Sequence, residues 1–234
     1  MKVVVLAGGI STERDVSLIS GKMIYRAMKK LGHQAVLLDV FLGMERDDIE
    51  HIFESDEDFS KDIADIREIN PDISAVKALR KDGGKCYFGP NVIRICQMAD
   101  VVFLGLHGAD GEGGKVQAAF DLLGIRYTGT GFVSSALAMD KCLAKELFVQ
   151  NGIPTPAGFR GKKGQACGQA PVFPCVVKVA SGGSSIGVSI VSEESEYQAA
   201  LDDALLYGDE VVVEQYIKGR ELTCCVLDGK ALPI

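Results

Sequence analysis

Val3 to Ala7 is an unbroken apolar run that begins after Lys2 and stops at Gly8-Gly9. Such a run, bounded by glycine, predicts a strand covered on both faces, as in a parallel sheet. Val16, Ile19, Met23 and Ala27 then recur at helical spacing, so a helix with that stripe inward is expected, ending at Gly32. Gln34 to Leu38 reads as a second strand closing at Asp39, and Val101 to Leu106 as a third that runs into the glycine loop His107 to Gly114. Val116, Ala119, Phe120 and Leu123 mark another helix, and Ile125 to Thr128 a short strand. A helix from about Val133 is expected to continue through Met139-Asp140-Lys141 toward Phe148, until Asn151-Gly152-Ile153-Pro154 breaks it. Strand, glycine turn, helix and strand in this order predict an α/β fold. Its N-terminal part is a doubly wound, Rossmann-like parallel sheet whose ligands gather where strands run out into loops.

Beyond Pro156 the pattern changes to strands at Cys175 to Val179, Gly187 to Val191, Glu210 to Gln215 and Glu221 to Leu227, with one helix striped by Tyr197, Leu201 and Leu205. This predicts an antiparallel α+β module, with the boundary near Ser134. Asp228-Gly229 is a type I′ hairpin signal whose second strand is Lys230 to Ile234, and the expectation is that the chain is the front part of a longer design. Glu45 to Asp58 holds eight carboxylates and one arginine and is expected to be a solvated segment packed weakly on the domain.

The 234 residues, 47% of them hydrophobic, suit one or two compact domains, and a net charge of −7 argues against non-specific binding of nucleic acid or anionic membranes. No apolar run reaches the length of a membrane span. Cysteines 86, 96, 142, 167, 175, 224 and 225 lack C-x-x-C spacing. They read as reduced thiols of a cytoplasmic protein, mostly small core residues, and not as a disulfide frame or zinc site.

The chemistry concentrates at Val176-Val177-Lys178-Val179-Ala180-Ser181-Gly182-Gly183-Ser184-Ser185-Ile186-Gly187-Val188, where a strand delivers a lysine into a glycine and serine loop. Adjacent glycines let backbone N–H groups converge on one anion, hydroxyls add donors and the lysine adds charge, which suits a nucleotide triphosphate. The spacing is not that of a P-loop, because the lysine precedes the glycines and a strand follows them. A plain hairpin turn with Lys178 as a solvated edge residue fits the same residues.

Five co-linear motifs decide between these. Gly8-Gly9 with Ser11-Thr12-Glu13-Arg14-Asp15-Val16-Ser17, then Leu106-His107-Gly108, Tyr127-Thr128-Gly129, Met139-Asp140-Lys141 and the Lys178 loop together resemble the D-alanine–D-alanine ligases, which are ATP-grasp enzymes. The resemblance implies a pre-ATP-grasp domain over 1–133, the central ATP-grasp lid over 134–218 and the start of a C-terminal ATP-grasp subdomain over 219–234, the rest of that fold being missing. It also implies the reaction. ATP phosphorylates one D-alanine carboxylate, and the amine of a second attacks the acyl phosphate to give the dipeptide of peptidoglycan.

By the same resemblance Glu13 holds the ammonium of the first D-alanine, Ser184 hydrogen-bonds that glutamate and His107 lies near the substrate carboxylate. Lys141 and Lys178 contact ATP phosphates, Ser185 is a further donor, Glu214 and Ile217 meet the adenine and Glu221 the ribose. Read from the residues alone, Glu13 is a helix-start cap, Ser184 a loop hydroxyl, Lys141 an exposed helix residue, and Glu214 and Glu221 exposed strand positions. Arg14 and Ser17 are expected to be surface or cap residues. Lys178-Val179 replaces the common Lys-Pro and is expected to loosen the strand's end, and Gly113 replaces an aspartate of the family's glycine loop.

Mg²⁺ or Mn²⁺ belongs to the family's cofactors, but the motifs that hold it are absent from this chain, and Glu68-Ile69-Asn70 is rejected as a substitute because no apolar strand precedes it. The chain alone is therefore expected to be inactive. A homodimer is implied by resemblance only. The alternatives are a non-catalytic nucleotide-binding fragment and another ATP-grasp carboxylate–amine ligase.

Overall fold

The structure, a computed structural model, describes residues 1–63, 71–165, 172–183 and 187–234. The chain divides into two compact units, Met1–Glu146 with Ser181–Ser184, and Leu147–Ala180 with Ser185–Ile234.

In the first unit β1 (Lys2–Ala7), β2 (Gln34–Asp39) and β3 (Val101–Leu104) form a parallel sheet in the order β2-β1-β3. Leu6 of the central strand pairs with Leu38 on one side and Leu104 on the other. The helix α1 (Arg14–Lys30) crosses from β1 to β2, but its inward face is not the predicted stripe. Arg14, Ser17, Gly21 and Tyr25 are buried, whereas Val16 and Ala27 are exposed and Met23 is 68% exposed. Close approach is the reason. A Cβ added to Gly21 would stand 2.6 Å from the Ala7 methyl and 3.0 Å from Leu37 Cδ1. Small residues therefore set the helix–sheet distance, while Leu18, Ile24 and Met28 supply the apolar flanks.

On the other face, Val4, Leu6, Val36 and Leu38 pack with Val40 and Phe41. The acidic segment also differs from expectation. Its carboxylates face outward, but Ile49, Ile52 and Phe53 are buried in this core, the last two from a short 3-10 turn at Ile52–Glu54, so the segment is anchored by its apolar minority. After α2 (Ile73–Ala78), α3 (Val92–Met98) adds Val92, Ile95 and Cys96. The glycine loop after β3 contains one helical turn, α4 (Ala109–Glu112), and α5 (Lys115–Leu123) buries Val116, Gln117 and Phe120. Ile125 to Thr128 forms no strand of its own and contributes a single parallel bridge, Val102 to Tyr127. The continuous helix expected from Val133 is two helices, α6 (Phe132–Met139) and α7 (Lys141–Gln150). At the break, Asp140 is extended and its Oδ1 accepts the N–H groups of Cys142 and Leu143, which caps α7.

The second unit is an antiparallel sheet of β4 (Gly158–Lys162), β5 (Cys175–Val179), β6 (Val188–Val191) and β7 (Glu210–Gln215) in the order β4-β7-β5-β6. The helix α8 (Glu194–Ala204) buries Ala200, Leu201 and Ala204 in its core. β4 escapes the apolar pattern, since Gly-Phe-Arg-Gly-Lys carries one apolar side chain, and it is held by main-chain pairing with β7. The strand expected over Glu221 to Leu227 shrinks to β8 (Val226–Leu227), and Lys230 to Ile234 to β9 (Lys230–Ala231). These two pair through Asp228 and Gly229 at φ 49° and 74°, the positive values a type I′ turn needs. Both are exposed, so nothing is buried to extend them.

Among the six described cysteines, Cys96, Cys142 and Cys175 are buried, but Cys86, Cys224 and Cys225 are exposed, which corrects the expectation that most are core residues. Cys167 lies outside the described residues. Burial pushes the Cys96 thiol up to about 12. Among the described residues no helix is long and apolar enough to cross a membrane.

Two measurements test this packing. Gly21→Ala, although alanine is the better helix former, should lower stability by about 1–3 kcal/mol in urea unfolding because the new methyl overpacks the sheet. A gain in stability would contradict the close approach. Iodoacetamide at pH 8 should label Cys86, Cys224 and Cys225 of the folded chain and leave Cys96 unlabelled, as read by peptide mass mapping.

Candidate active site

The carboxyl ends of three parallel strands leave main-chain donors and acceptors that the sheet does not pair, and buried groups of this kind need partners. The first turns of α1 supply them. Arg14 Nη1 donates to the Gly9 carbonyl at 2.6 Å, and Nη2 to Asp39 Oδ2, at the end of β2, at 2.5 Å. Asp39 Oδ1 accepts the N–H groups of Phe41 and Leu42, each at 2.9 Å. Ser17 Oγ accepts the Gly8 N–H at 2.9 Å and donates to the Gly105 carbonyl, just past β3, at 2.7 Å. Arg14 and Ser17 are thus buried structural ties, not the surface or cap residues expected from their position.

Glu13 stands at the N-cap of α1, yet its side chain makes no capping bond. Its carboxylate lies against two glycines. A Cβ on Gly183 would meet Oε2 at 2.9 Å, and one on Gly108 would meet it at 3.6 Å and the Ser11 Cβ at 2.6 Å. Gly108 also has φ 85°, so both space and backbone conformation require glycine there. Ser11 Oγ accepts the Glu13 N–H at 3.2 Å and donates to the His107 carbonyl at 2.9 Å. The half-buried His107 ring has Nε2 3.4 Å from Ser20 Oγ. Glu112 Oε2 accepts the Gly108 N–H at 2.8 Å.

Lys141 Nζ donates to the Gly182 carbonyl at 2.7 Å, and Asp140 bridges Ser181 in antiparallel fashion. Two motifs distant in sequence, that of Glu13 and that of Asp140-Lys141, therefore meet the segment 181–183. Ser184 and Ser185 lie outside the described residues, as does Glu68-Ile69-Asn70. A cavity of about 470 Å³ opens beyond β3, lined among others by Leu104, Leu106, Gln117, Thr128, Ser135 and Lys141. Gln117 gives no signal in the sequence except as a polar residue on an apolar stripe. Its Nε2 donates to the Gly111 carbonyl at 2.9 Å, and its buried Oε1 has no partner among the described residues. Tyr87 also escapes the sequence pattern. A Cβ on Gly9 would stand 2.9 Å from its hydroxyl, and burial, reinforced by Asp110 and Asp39, raises its pKa and keeps it protonated.

In the second unit Lys178 sits on β5, an interior strand and not an edge, and forms an ion pair with Glu214 of β7. Val176 pairs with Glu214 and Lys178 with Val212, so the two charged residues are diagonal neighbours on one face of the sheet. Glu214 is 7% exposed, unlike the exposed strand position its residue type suggested. Val179 remains buried and paired with Val211, so the strand is not loosened where proline is replaced. Ile217 and Glu221 follow β7 and are exposed. Among the described residues no group of three His, Cys, Asp or Glu is arranged to hold a metal ion.

A family model described as D-ala D-ala ligase N-terminus matches residues 2–130, and one described as D-ala D-ala ligase C-terminus matches residues 156–234. The D-alanine–D-alanine ligase of Pediococcus pentosaceus is 46% identical over 239 residues, covering 100% of this chain and 67% of that protein. That of Lacticaseibacillus casei is 44% identical, covering 99% and 65%. Among solved structures, the D-alanine–D-alanine ligase of Bacillus anthracis complexed with ATP superposes with a TM-score of 0.72 at 29% identity, covering 100% of this chain and 64% of that one. The chain thus spans about two thirds of the length of the curated relatives it matches, 67% and 65% for these two.

Arg14→Met should destabilise the chain by about 3–5 kcal/mol in urea unfolding, because it removes a buried guanidinium and leaves the partly buried Asp39 carboxylate without its cation. Adding Asp39→Asn should recover part of that loss, and strictly additive effects in the double mutant would show that the pair is not coupled.

Proposed function

The chain belongs to the D-alanine–D-alanine ligase family, and on that premise we propose that it binds ATP and D-alanine for ATP-dependent ligation of two D-alanines through an acyl phosphate. The observation that carries the reading is the Glu13 carboxylate, unused as a helix cap and held against Gly108 and Gly183. An uncapped carboxylate beside glycine main chain leaves room for a small ammonium compound. His107, one residue before Gly108, is the donor toward the substrate carboxylate as phosphate arrives. Lys141 and Lys178 neutralise phosphate oxygens, a task suited to a compact ammonium on a long stem. Glu214 serves the adenine side, Ile217 contributes its main chain, Glu221 holds the ribose, and Ser184 and Ser185 complete the loop as donors.

The Lys178–Glu214 ion pair supports this assignment. A cation on an interior strand needs a counter-charge when no nucleotide is bound, and Glu214 supplies it. ATP bound to a relative, the Bacillus anthracis enzyme, supports nucleotide binding. The family's divalent ions supply charge neutralisation when bound. The described residues do not group into a site for one, so no step is assigned to a metal. Dimerisation, a cytoplasmic location and the division into residues 1–133, 134–218 and 219–234 belong to the same proposal.

Thermal melts with and without ATP test the nucleotide half. ATP should raise the melting temperature, and Lys178→Ala should remove most of that increment, corresponding to roughly tenfold weaker binding. Only the ATP-dependent increment is diagnostic, because the substitution also strands Glu214. D-alanine, but not L-alanine, should shift NMR signals of Gly108 and His107, and the shift should vanish in Glu13→Gln. An unchanged ATP increment in Lys178→Ala, or equal response to both enantiomers, would sink the reading.

A further inference from the structure

We infer that Ser17, acting with Ser11, is a positioning residue that fixes the separation of Glu13 and His107, and so sets affinity for the first amino acid without touching it. The inference rests on the proposed roles of Glu13 and His107. Its basis is a closed circuit of hydrogen bonds. The Ser17 N–H donates to the Glu13 carbonyl at 3.0 Å, as the helix requires. Ser17 Oγ then donates to the Gly105 carbonyl at 2.7 Å. Two residues further, the His107 carbonyl accepts from Ser11 Oγ at 2.9 Å, and Ser11 Oγ accepts the Glu13 N–H at 3.2 Å. Starting from Glu13, the path returns to Glu13 through two serines and the segment Gly105-Leu106-His107.

A closed circuit transmits constraint in a way that a single contact does not. Ser17 lies on its buried side with 0% exposure, and its hydroxyl also accepts the Gly8 N–H, so one side chain fixes main chain on both sides of the site. Deleting the oxygen takes this partner from the Gly8 N–H and the Gly105 carbonyl, and a buried backbone group left unpaired is costly. Serine is a poor residue for a helix interior, so its presence on the sheet-facing side of α1 sacrifices local propensity for this tie. Ser11 closes the outer side. Neither serine carries charge, and neither is assigned to hold a ligand.

A role limited to folding would lower stability without selecting among ligands, so the test compares ligands. In the full 234-residue chain, D-alanine affinity is read from the NMR shift of the Gly108 amide, and ATP affinity from thermal melts. Ser17→Ala should weaken D-alanine binding roughly tenfold and leave ATP binding within about twofold. Val36→Ala, a buried change in β2 remote from the circuit, should also lower the melting temperature but keep D-alanine affinity within about twofold. Ser11→Ala opens the circuit from the other side and should act in the same direction as Ser17→Ala, which keeps the inference testable if the latter does not fold. In the unmutated chain, saturating D-alanine should slow hydrogen exchange of the Gly8 amide. Equal losses for both ligands, or D-alanine binding within about twofold in both serine variants, would overturn the inference. A chain whose D-alanine response is indifferent to Glu13→Gln would instead refute the proposed site, and the positioning role with it.

Discussion

The first turns of α1 carry the constraint on which the first unit depends, because they must satisfy the polar groups that three parallel strands leave at their carboxyl ends. Gly8, Gly9, Asp39 and Gly105 all reach the same short stretch of helix, and two side chains, Arg14 and Ser17, complete their bonding. A buried main-chain group without a partner is destabilising by an amount comparable to a whole hydrogen bond or more. Glu13 shares this stretch, but its side chain makes no capping bond.

The second unit solves a related problem with charge. Lys178 is a partly buried cation on an interior strand, and Glu214 offsets its charge from the neighbouring strand. An ion pair of this kind is weak evidence of stability, since desolvation consumes much of the attraction. The same reasoning separates Lys178 from the exposed lysines of the chain, which need no counter-charge.

Much of the fold was legible because the relevant signals are local. The apolar runs of β1, β2, β5 and β7 identify buried strands wherever they occur. Legibility failed where a long-range contact outweighed local pattern. In α1 the stripe of Val16 and Met23 lost to Gly21 and Ser17, because closeness to the sheet favoured small residues over large ones. β4 lacks an apolar pattern since β7 pairs with its main chain, to which side-chain periodicity is blind. Asp140 reads as a mid-helix residue until its side chain is seen capping α7. Ile49, Ile52 and Phe53 were hidden by the charges around them.

Sequence by itself determined the two kinds of sheet and the glycine loops, since each is a matter of residue type and spacing, and its resemblance to a family singled out Glu13, His107, Lys141 and Lys178. Tertiary structure alone decided what those residues touch. It brought Glu13 against Gly108 and Gly183, joined Lys141 to Gly182, and turned Arg14 and Ser17 from apparent surface residues into the ties beneath the site. The physical reason is that a hydroxyl or guanidinium gains its role from the unpaired group it meets. That group lies 88 residues away for Ser17 and 25 for Arg14, beyond the reach of any local pattern.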